Sequence, residues 1–478
     1  MLWLCAAMAA RVPQPIQQLL AKPYMRGASF SLLIKETESG RVVCAYDTLR
    51  QLTPASVMKL VTTATALELI GEDYRYPTRI TYDGHIEDGT LRGNLYIEGS
   101  GDPSLGSAFI DEEPEAFARD WIEAIRRTGI RRVTGSVVAD ASLFDTEGLS
   151  LKWAREDLGS YYGTGSYGLS VFDNRYTLLL RTGAPGSRPR VTGTEPALPD
   201  LRFHNYLTAR SIAIDSAYIL GAPLSDERYL YGVVPANRAR YTMRGDIPDP
   251  PLFLAQYLTR ASREAGIEVE GKPTSLRLTR EAGEAPAGER HALVTTYSPP
   301  LSTLAGVTNR VSHNLFADAL LKTIGLGYEP RAGETLSTFE RGIRRLRAHW
   351  EERGLDLSTL WMYDGSGLAM ADKLSASFLT ELLLYMDRES TRGEAFRSSL
   401  PRAGMEGSVR NFLKGSALAG KARLKSGSMS RVKSYAGYID LGGKRYTVVV
   451  LANHYACDGR VMSYAIERLL LAIFATLT

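Results

Sequence analysis

The stretch PASVMKLVTTATALELIG, from Pro54 to Gly71, carries no charged side chain between Lys59 and Glu68. Pro54 suits a first helical turn, Ala64, Ala66, Leu67 and Leu69 favour helix or core, and Gly71 is a natural stop. A helix without a polar face has no side to turn to water, so this one is expected to be buried nearly all round. Other elements must therefore surround it. β-like runs lie at both ends of the sequence. ASFSLLIKETESGRVVCAYDT reads as a hairpin turning at Glu38-Ser39-Gly40, and KSYAGYIDL and KRYTVVVLANHYA read as two strands joined by Gly442-Gly443. Helical periodicity dominates after Pro300, and VMSYAIERLLLAIFATLT closes the chain as an amphipathic helix. Strands at both termini with helices between them predict one α/β domain assembled from residues 24–81 and 294–478. From Tyr82 to Leu293 the texture changes to short β-like runs between Gly-, Pro- and Asn-rich turns, closed by a helix, PLFLAQYLTRASREAGI, that ends at Gly266. Residues 82–293 are expected to form a β-rich insertion.

Composition excludes several classes. With 478 residues, 44% hydrophobic and 23% charged, the chain has the make-up of a globular protein of two or three domains. The net charge of +4 is mild, and no Lys/Arg cluster or aromatic stacking motif stands out, so no nucleic-acid partner is expected. Residues 1–10 hold an apolar run, Leu2 to Ala10, with Ala7-Met8-Ala9 at the small-x-small spacing of a signal-peptidase site. The run is short and lacks a preceding basic residue. It reads as a truncated export signal that would take Cys5 with it, which places the protein in the periplasm or another extracytoplasmic space. Cys44 and Cys457 are too few for a disulfide scaffold and lack metal-ligand spacing. No later stretch reads as a transmembrane segment, because Glu467 and Arg468 interrupt the C-terminal helix. Nothing in the sequence sets an oligomeric state.

Ser56 and Lys59 lie three apart, so a helix presents both on one face. A serine hydroxyl attacks only when a neighbour takes its proton, and a lysine can do so only when burial or a second cation depresses its pKa. The uncharged helix offers that burial. Ser-x-x-Lys alone is weak, and Ser56 could equally cap the helix. Ser430-Arg431-Val432-Lys433 repeats the pattern among strand-like residues, where that spacing points side chains to opposite faces. Two further triplets add weight. Ser312-His313-Asn314 stands where a helical run begins, and Lys425-Ser426-Gly427 precedes the C-terminal hairpin, where a strand could line a cleft. Individually these read as a helix cap and a solvated charge. In order, S-x-x-K, S-x-N and K-[ST]-G form the signature set of penicillin-binding proteins and serine β-lactamases. The gap from Ser56 to Ser312 is too long for a compact β-lactamase, and the β-rich insertion fills it.

From about Ala28 onward the chain resembles the class C low-molecular-mass penicillin-binding proteins, the D-alanyl-D-alanine carboxypeptidase/endopeptidases. LTPASVMKLVTTATALELIG, IEGSGDPSL, SHNLFADALLK, DGSGL at Asp364 to Leu368 and AGMEGSV at Ala403 to Val409 carry the resemblance. It implies a penicillin-binding/β-lactamase-like transpeptidase domain, an antiparallel sheet flanked by helices, with strands in the order third, fourth, fifth, first, second. It also implies an exported serine DD-peptidase that cleaves D-alanyl bonds of peptidoglycan stem peptides and is inhibited by β-lactams. Ser56 would attack the carbonyl, Lys59 would be its base, Ser312 would relay a proton to the leaving group, and Asn314 would hold the substrate amide. Lys425 would stay positive, keep Lys59 neutral and attract the terminal carboxylate with help from Ser426. The backbone N–H groups of Ser56 and Ser428, beside Gly427, would form the oxyanion hole. No metal or organic cofactor is needed. In WAREDLGSYYGTGSYGLSVFDN, an acidic residue of related proteins meets the free amine of the stem's diamino acid; here that is Asp157, flanked by Trp153 and Tyr161.

Three positions depart from the family pattern. Ser426 replaces a threonine and keeps the hydroxyl. His313 occupies a position usually acidic or amide. Ala369-Met370 follows DGSGL where Ser-Arg is expected, which opens substrate preference. The strand order puts Cys44 and Cys457 two strand spacings apart, about 9 to 10 Å, so both are expected to be free thiols. Two other functions fit the same fold: a serine esterase or D-amino-acid amidase, and a non-catalytic wall-binding scaffold. The scaffold has no reason to keep all five of Ser56, Lys59, Ser312, Asn314 and Lys425.

Overall fold

A computed structural model describes residues 12–284 and 288–477. The expected signal segment, 1–10, lies outside them. The two chain ends build one five-stranded antiparallel sheet from β1 (Ser29–Glu36), β2 (Val42–Tyr46), β3 (Ala422–Met429), β4 (Val432–Leu441) and β5 (Lys444–Asn453). The order is β2-β1-β5-β4-β3, as the resemblance implies. Strand alternation feeds two cores, one on each face. Leu33, Ala436, Tyr438, Val449 and Leu451 point to one, while Leu32, Ile34, Tyr435, Val448 and Val450 point to the other. Cys44 faces Ile34 on β2, Cys457 follows β5, and both are free.

The charge-free segment lies in the first core. Its α-helix, α1 (Met58–Leu69), buries every residue from Met58 to Leu67. It is enclosed by α2 (Leu301–Arg310), α3 (Asn314–Gly325), α4 (Thr338–Glu352), α5 (Ala376–Arg388) and the sheet. The threonines of α1 bond inside the protein: Thr62 Oγ1 donates to Gly365 O at 2.7 Å, and Trp350 Nε1 of α4 donates to Thr65 Oγ1 at 2.8 Å. The opposite face is covered by α6 (Gly459–Phe474), which buries Met462, Ile466, Leu469, Leu470 and Ile473.

The middle of the chain has its own apolar core. A five-stranded mixed sheet runs Thr274–Ser275, Val137–Asp140, Leu95–Glu98, Pro77–Tyr82, His291–Tyr297. Its last two strands pair with each other, so the sheet reaches from Pro77 to Tyr297, beyond the 82–293 expected. Those residues read as strand without showing which sheet they join. The block also contains a second long helix, Ala116–Arg127, which packs Phe117, Trp121, Ile122 and Ile125 inward at helical spacing.

Trp350 is fully buried and joins α4 to α1. Trp350→Ala should lower the stability of this domain by about 3–5 kcal/mol, and Trp350→Phe by about 1 kcal/mol more than a silent change. Urea unfolding curves check this; equal stability of the alanine variant would show that α4 does not brace α1.

Candidate active site

The chain reaches Ser56 through a strained turn. Ala55–Val57 forms a single 3-10 turn, with Ala55 at φ 48°, and the α-helix begins only at Met58. The predicted helix start at Pro54 therefore moves, because a left-handed residue cannot sit inside a right-handed helix. No side-chain cap is made at this end, so Ser56 is not the N-cap. Instead Lys59 Nζ donates to Ser56 Oγ at 3.0 Å, to Asn314 Oδ1 at 2.6 Å and to Ser366 O at 2.6 Å. Ser312, also left-handed at φ 64°, lies in the link between α2 and α3, and Asn314 opens α3. β3 brings Lys425, whose Nζ donates to Ser312 Oγ at 2.9 Å and to Ser426 O at 2.7 Å. All five expected catalytic residues thus converge from three segments of the chain, 56–59, 312–314 and 425. The decoy does not join them as a pair: Arg431 turns between β3 and β4 at φ 57°, and only Ser430 reaches the cleft.

Gly427 is explained by clearance. A Cβ there would lie 2.6 Å from Pro54 O and 3.1 Å from Ser56 N, so only glycine lets β3 run against the turn that carries Ser56. Gly367 does the same from the other side, where a Cβ would meet Ala55 O at 2.1 Å. Ser426 Oγ donates to Ser408 Oγ at 2.8 Å, within AGMEGSV.

Lys59 and Lys425 are both fully buried. Burial pulls Lys59 down to about 8, with Asp318, Asp364 and Asp372 acting against the shift. Burial and then the charge of Lys59 push Lys425 well below its ordinary value. This corrects the expectation that Lys425 simply stays charged and holds Lys59 neutral. The carboxylates lie on the Lys59 side, so the empty site favours a proton there.

The cleft encloses about 360 Å³ and is lined by Ser56, Ser312, Asn314 and Ser428 with Asp157, Tyr161 and Tyr162 from the insertion. Asn314 Nδ2 donates to Tyr162 O at 2.8 Å, joining insertion and catalytic residues directly. Burial raises the Asp157 carboxyl above its ordinary value, opposed by the Tyr162 hydroxyl and reinforced by Glu156. Trp153 does not line the cleft. It is buried, and its Nε1 donates to Asp364 Oδ2 at 2.7 Å, so it supports the site from behind. His313 also turns away, its Nε2 lying 2.9 Å from Arg175 Nη2 and 3.1 Å from Asp173 Oδ1. Burial and then Arg175 lower His313 to about 4, so it is neutral and leaves the cleft's charge unchanged. Met370, where an arginine was expected, is half-exposed at the cleft wall.

Asp364 went unassigned in the sequence. It is fully buried, and its carboxylate accepts from the N–H groups of Ser366 at 3.1 Å, Gly367 at 2.6 Å and Ala369 at 2.8 Å. That knot aims Ser366 O at Lys59. An Asp ahead of Gly-Ser-Gly is the signal that could have revealed it, since Asp side chains commonly close such turns.

The D-Ala-D-Ala carboxypeptidase 3 (S13) family model matches residues 12–472. The D-alanyl-D-alanine carboxypeptidase of Actinomadura sp. (strain R39) is 26% identical over 445 residues, 89% of this chain and 78% of that protein. The D-alanyl-D-alanine carboxypeptidase DacB of Haemophilus influenzae is 21% identical over 442 residues, 91% of this chain and 88% of that one. The crystal structure of penicillin binding protein 4 (dacB) from Haemophilus influenzae shares the fold, with a TM-score of 0.81 at 19% identity over 97% of this chain and 99% of that one. With the model matched from residue 12 to residue 472, the chain belongs to the D-Ala-D-Ala carboxypeptidase 3 (S13) family.

Proposed function

We propose that this protein is an extracytoplasmic serine DD-peptidase that hydrolyses D-alanyl bonds in peptidoglycan stem peptides and is acylated by β-lactams. The observation that carries the reading is the buried Lys59 amine, 3.0 Å from Ser56 Oγ and held down to about 8. A base near neutrality in contact with a hydroxyl is what acyl transfer requires. Neutral Lys59 takes the Ser56 proton as Oγ bonds to the D-alanyl carbonyl carbon, whose oxygen turns to the N–H groups of Ser56 and Ser428. As the C–N bond breaks, Ser312 passes a proton from Lys425 to the leaving amine, along the 2.9 Å contact between them. The acyl-enzyme then holds protonated Lys59 and neutral Lys425. In the second half, Lys425 accepts a proton from water through Ser312 as the hydroxyl adds to the ester carbon. Lys59 returns its proton to Ser56 as the C–O bond breaks. The cycle closes with both lysines as they began.

This cycle starts with the proton on Lys425, whereas the empty site favours Lys59. A substrate's terminal carboxylate at Lys425 and Ser426 reverses the preference, because an adjacent anion raises an amine's proton affinity. The ascending limb of kcat against pH should therefore lie below about 8 for a substrate with a free terminal carboxylate. It should move up for the same substrate carrying a terminal carboxamide. Identical limbs for the two would remove the carboxylate-driven transfer.

Fluorescent penicillin should label the wild type at a single site, seen by intact mass, and leave Ser56→Ala unlabelled. A folded wild type that never forms the adduct would direct attention to the esterase and scaffold readings.

Asp157 is a desolvated carboxylate with no ion-pair partner among the described residues, which suits the ammonium of a diamino acid side chain. Asp157→Asn should reduce kcat/KM about tenfold for a stem peptide with a free side-chain amine. The acetylated peptide should change little. Equal losses on both would end that role.

A further inference from the structure

Beyond the Tyr161–Tyr162 pair the cleft continues into a second groove of about 430 Å³. Glu156, Tyr161 and Tyr162 line both spaces, so a ligand leaving Ser56 on the insertion side passes these rings to enter it. The floor is a three-stranded sheet of the insertion. On its outer face Thr177 of strand Arg175–Arg181 stands opposite Arg244 of strand Tyr241–Asp246, beside the exposed Thr242.

Arg244 is the charged group of interest. Its guanidinium lies 4.0 Å from the centre of the Tyr161 ring, and no carboxylate among the described residues is in ion-pair contact with it. A guanidinium laid on an aromatic face keeps its N–H groups in its own plane, free to donate, and loses much of its rotamer freedom. That is a prepared fork for a carboxylate. The acids nearby do not occupy it. Asp215 accepts the Tyr241 hydroxyl, and Glu156 stands at the junction with the catalytic cleft. On the same aromatic ring, Arg175 is 5.7 Å away and already engaged with His313, which leaves Arg244 as the cation that faces the groove.

We propose that Arg244 is a specificity-determining residue that pairs with a carboxylate on the substrate residue preceding the diamino acid. This rests on the peptidase reading above. In that reading the acyl side of the scissile bond extends from Ser56 past Asp157, and the next residue's acid arrives on the far side of the tyrosine pair. An anionic glutamyl residue suits this groove better than its carboxamide.

The test uses two stem peptides that differ only in that group, a free α-carboxylate or a carboxamide on the glutamyl residue. Wild type should favour the carboxylate about tenfold in kcat/KM, through KM, the scale of one charge-assisted hydrogen bond in a solvent-open groove. Arg244→Gln should abolish the preference while leaving kcat and the rate of penicillin acylation unchanged. Arg244→Lys, which keeps the charge and loses the fork, should restore part of it. Equal use of both peptides by wild type would overturn the inference, as would an Arg244→Gln variant that loses activity equally on both. If wild type were acylated by penicillin yet cleaved neither peptide, the peptidase reading would fall and this inference with it.

Discussion

Two amines buried in one cleft, Lys59 and Lys425, set the terms for the rest of this structure. A buried ammonium without partners is costly, and two together repel, so the protein either neutralises one or surrounds it with acceptors. It does both. Lys59 receives a serine oxygen, an amide oxygen and a peptide carbonyl, with three buried aspartates behind them. Lys425 receives a hydroxyl and a carbonyl and, among the described residues, no carboxylate. The asymmetry makes the pair a proton reservoir with a preferred side. Burial also raises Asp318 and Asp372 well above the usual carboxylate range, first by desolvation and then by the charge of Asp364. In the proposed mechanism Ser56 becomes nucleophilic because Lys59 is short of water and its neighbours can exchange a proton without solvent.

Such an arrangement needs rigid support, and Asp364 supplies much of it. Its two oxygens collect three backbone N–H groups and the Trp153 indole, so a loop of the catalytic domain and a loop of the insertion end on the same carboxylate. Lys322 adds a second tie on α3, donating to Ser166 O at 2.9 Å and to Glu147 O at 2.5 Å in the insertion. The insertion is therefore part of the wall of the active site.

The features legible in sequence were those with a local cause. An uncharged helix must be enclosed, and β-like runs at both termini must find each other; both were readable, from residues 54–71 and from 28–48 and 433–456. The candidate catalytic set could be named because three short motifs occur in order, although each alone is bland. What escaped was set by packing between distant segments. One partner of Pro77–Tyr82, the strand His291–Tyr297, is more than two hundred positions away, so no local pattern announces that the two pair. In sequence Trp153 groups with the substrate contacts because it lies four residues before Asp157, but its indole faces Asp364. The proton preference of the lysines depends on Asp318, Asp364 and Asp372, which α3 and a loop bring together only in the fold.

His313 shows how the insertion acts on the catalytic triplet without touching substrate. Residues 172–174, Phe-Asp-Asn, are three successive left-handed residues, each costing roughly 1–3 kcal/mol relative to relaxed backbone. The surroundings hold them. Asn174 Oδ1 accepts from Val171 N at 3.0 Å and its amide donates to Gly165 O at 2.8 Å, while Phe172 packs against Phe253 and Tyr257. This turn delivers Asp173, which bonds Ser107 at 2.7 Å and stands beside His313. Burial raises Asp173, but the His313 hydrogen bond, the Arg175 charge and the Ser107 hydroxyl outweigh it and hold the carboxyl below its usual range. Ser312, the neighbour of His313, is itself left-handed and presents its hydroxyl to Lys425. Strain on both sides of one contact is thus balanced by the contact. With His313 anchored in the insertion, Ser312 and Asn314 are left facing the cleft.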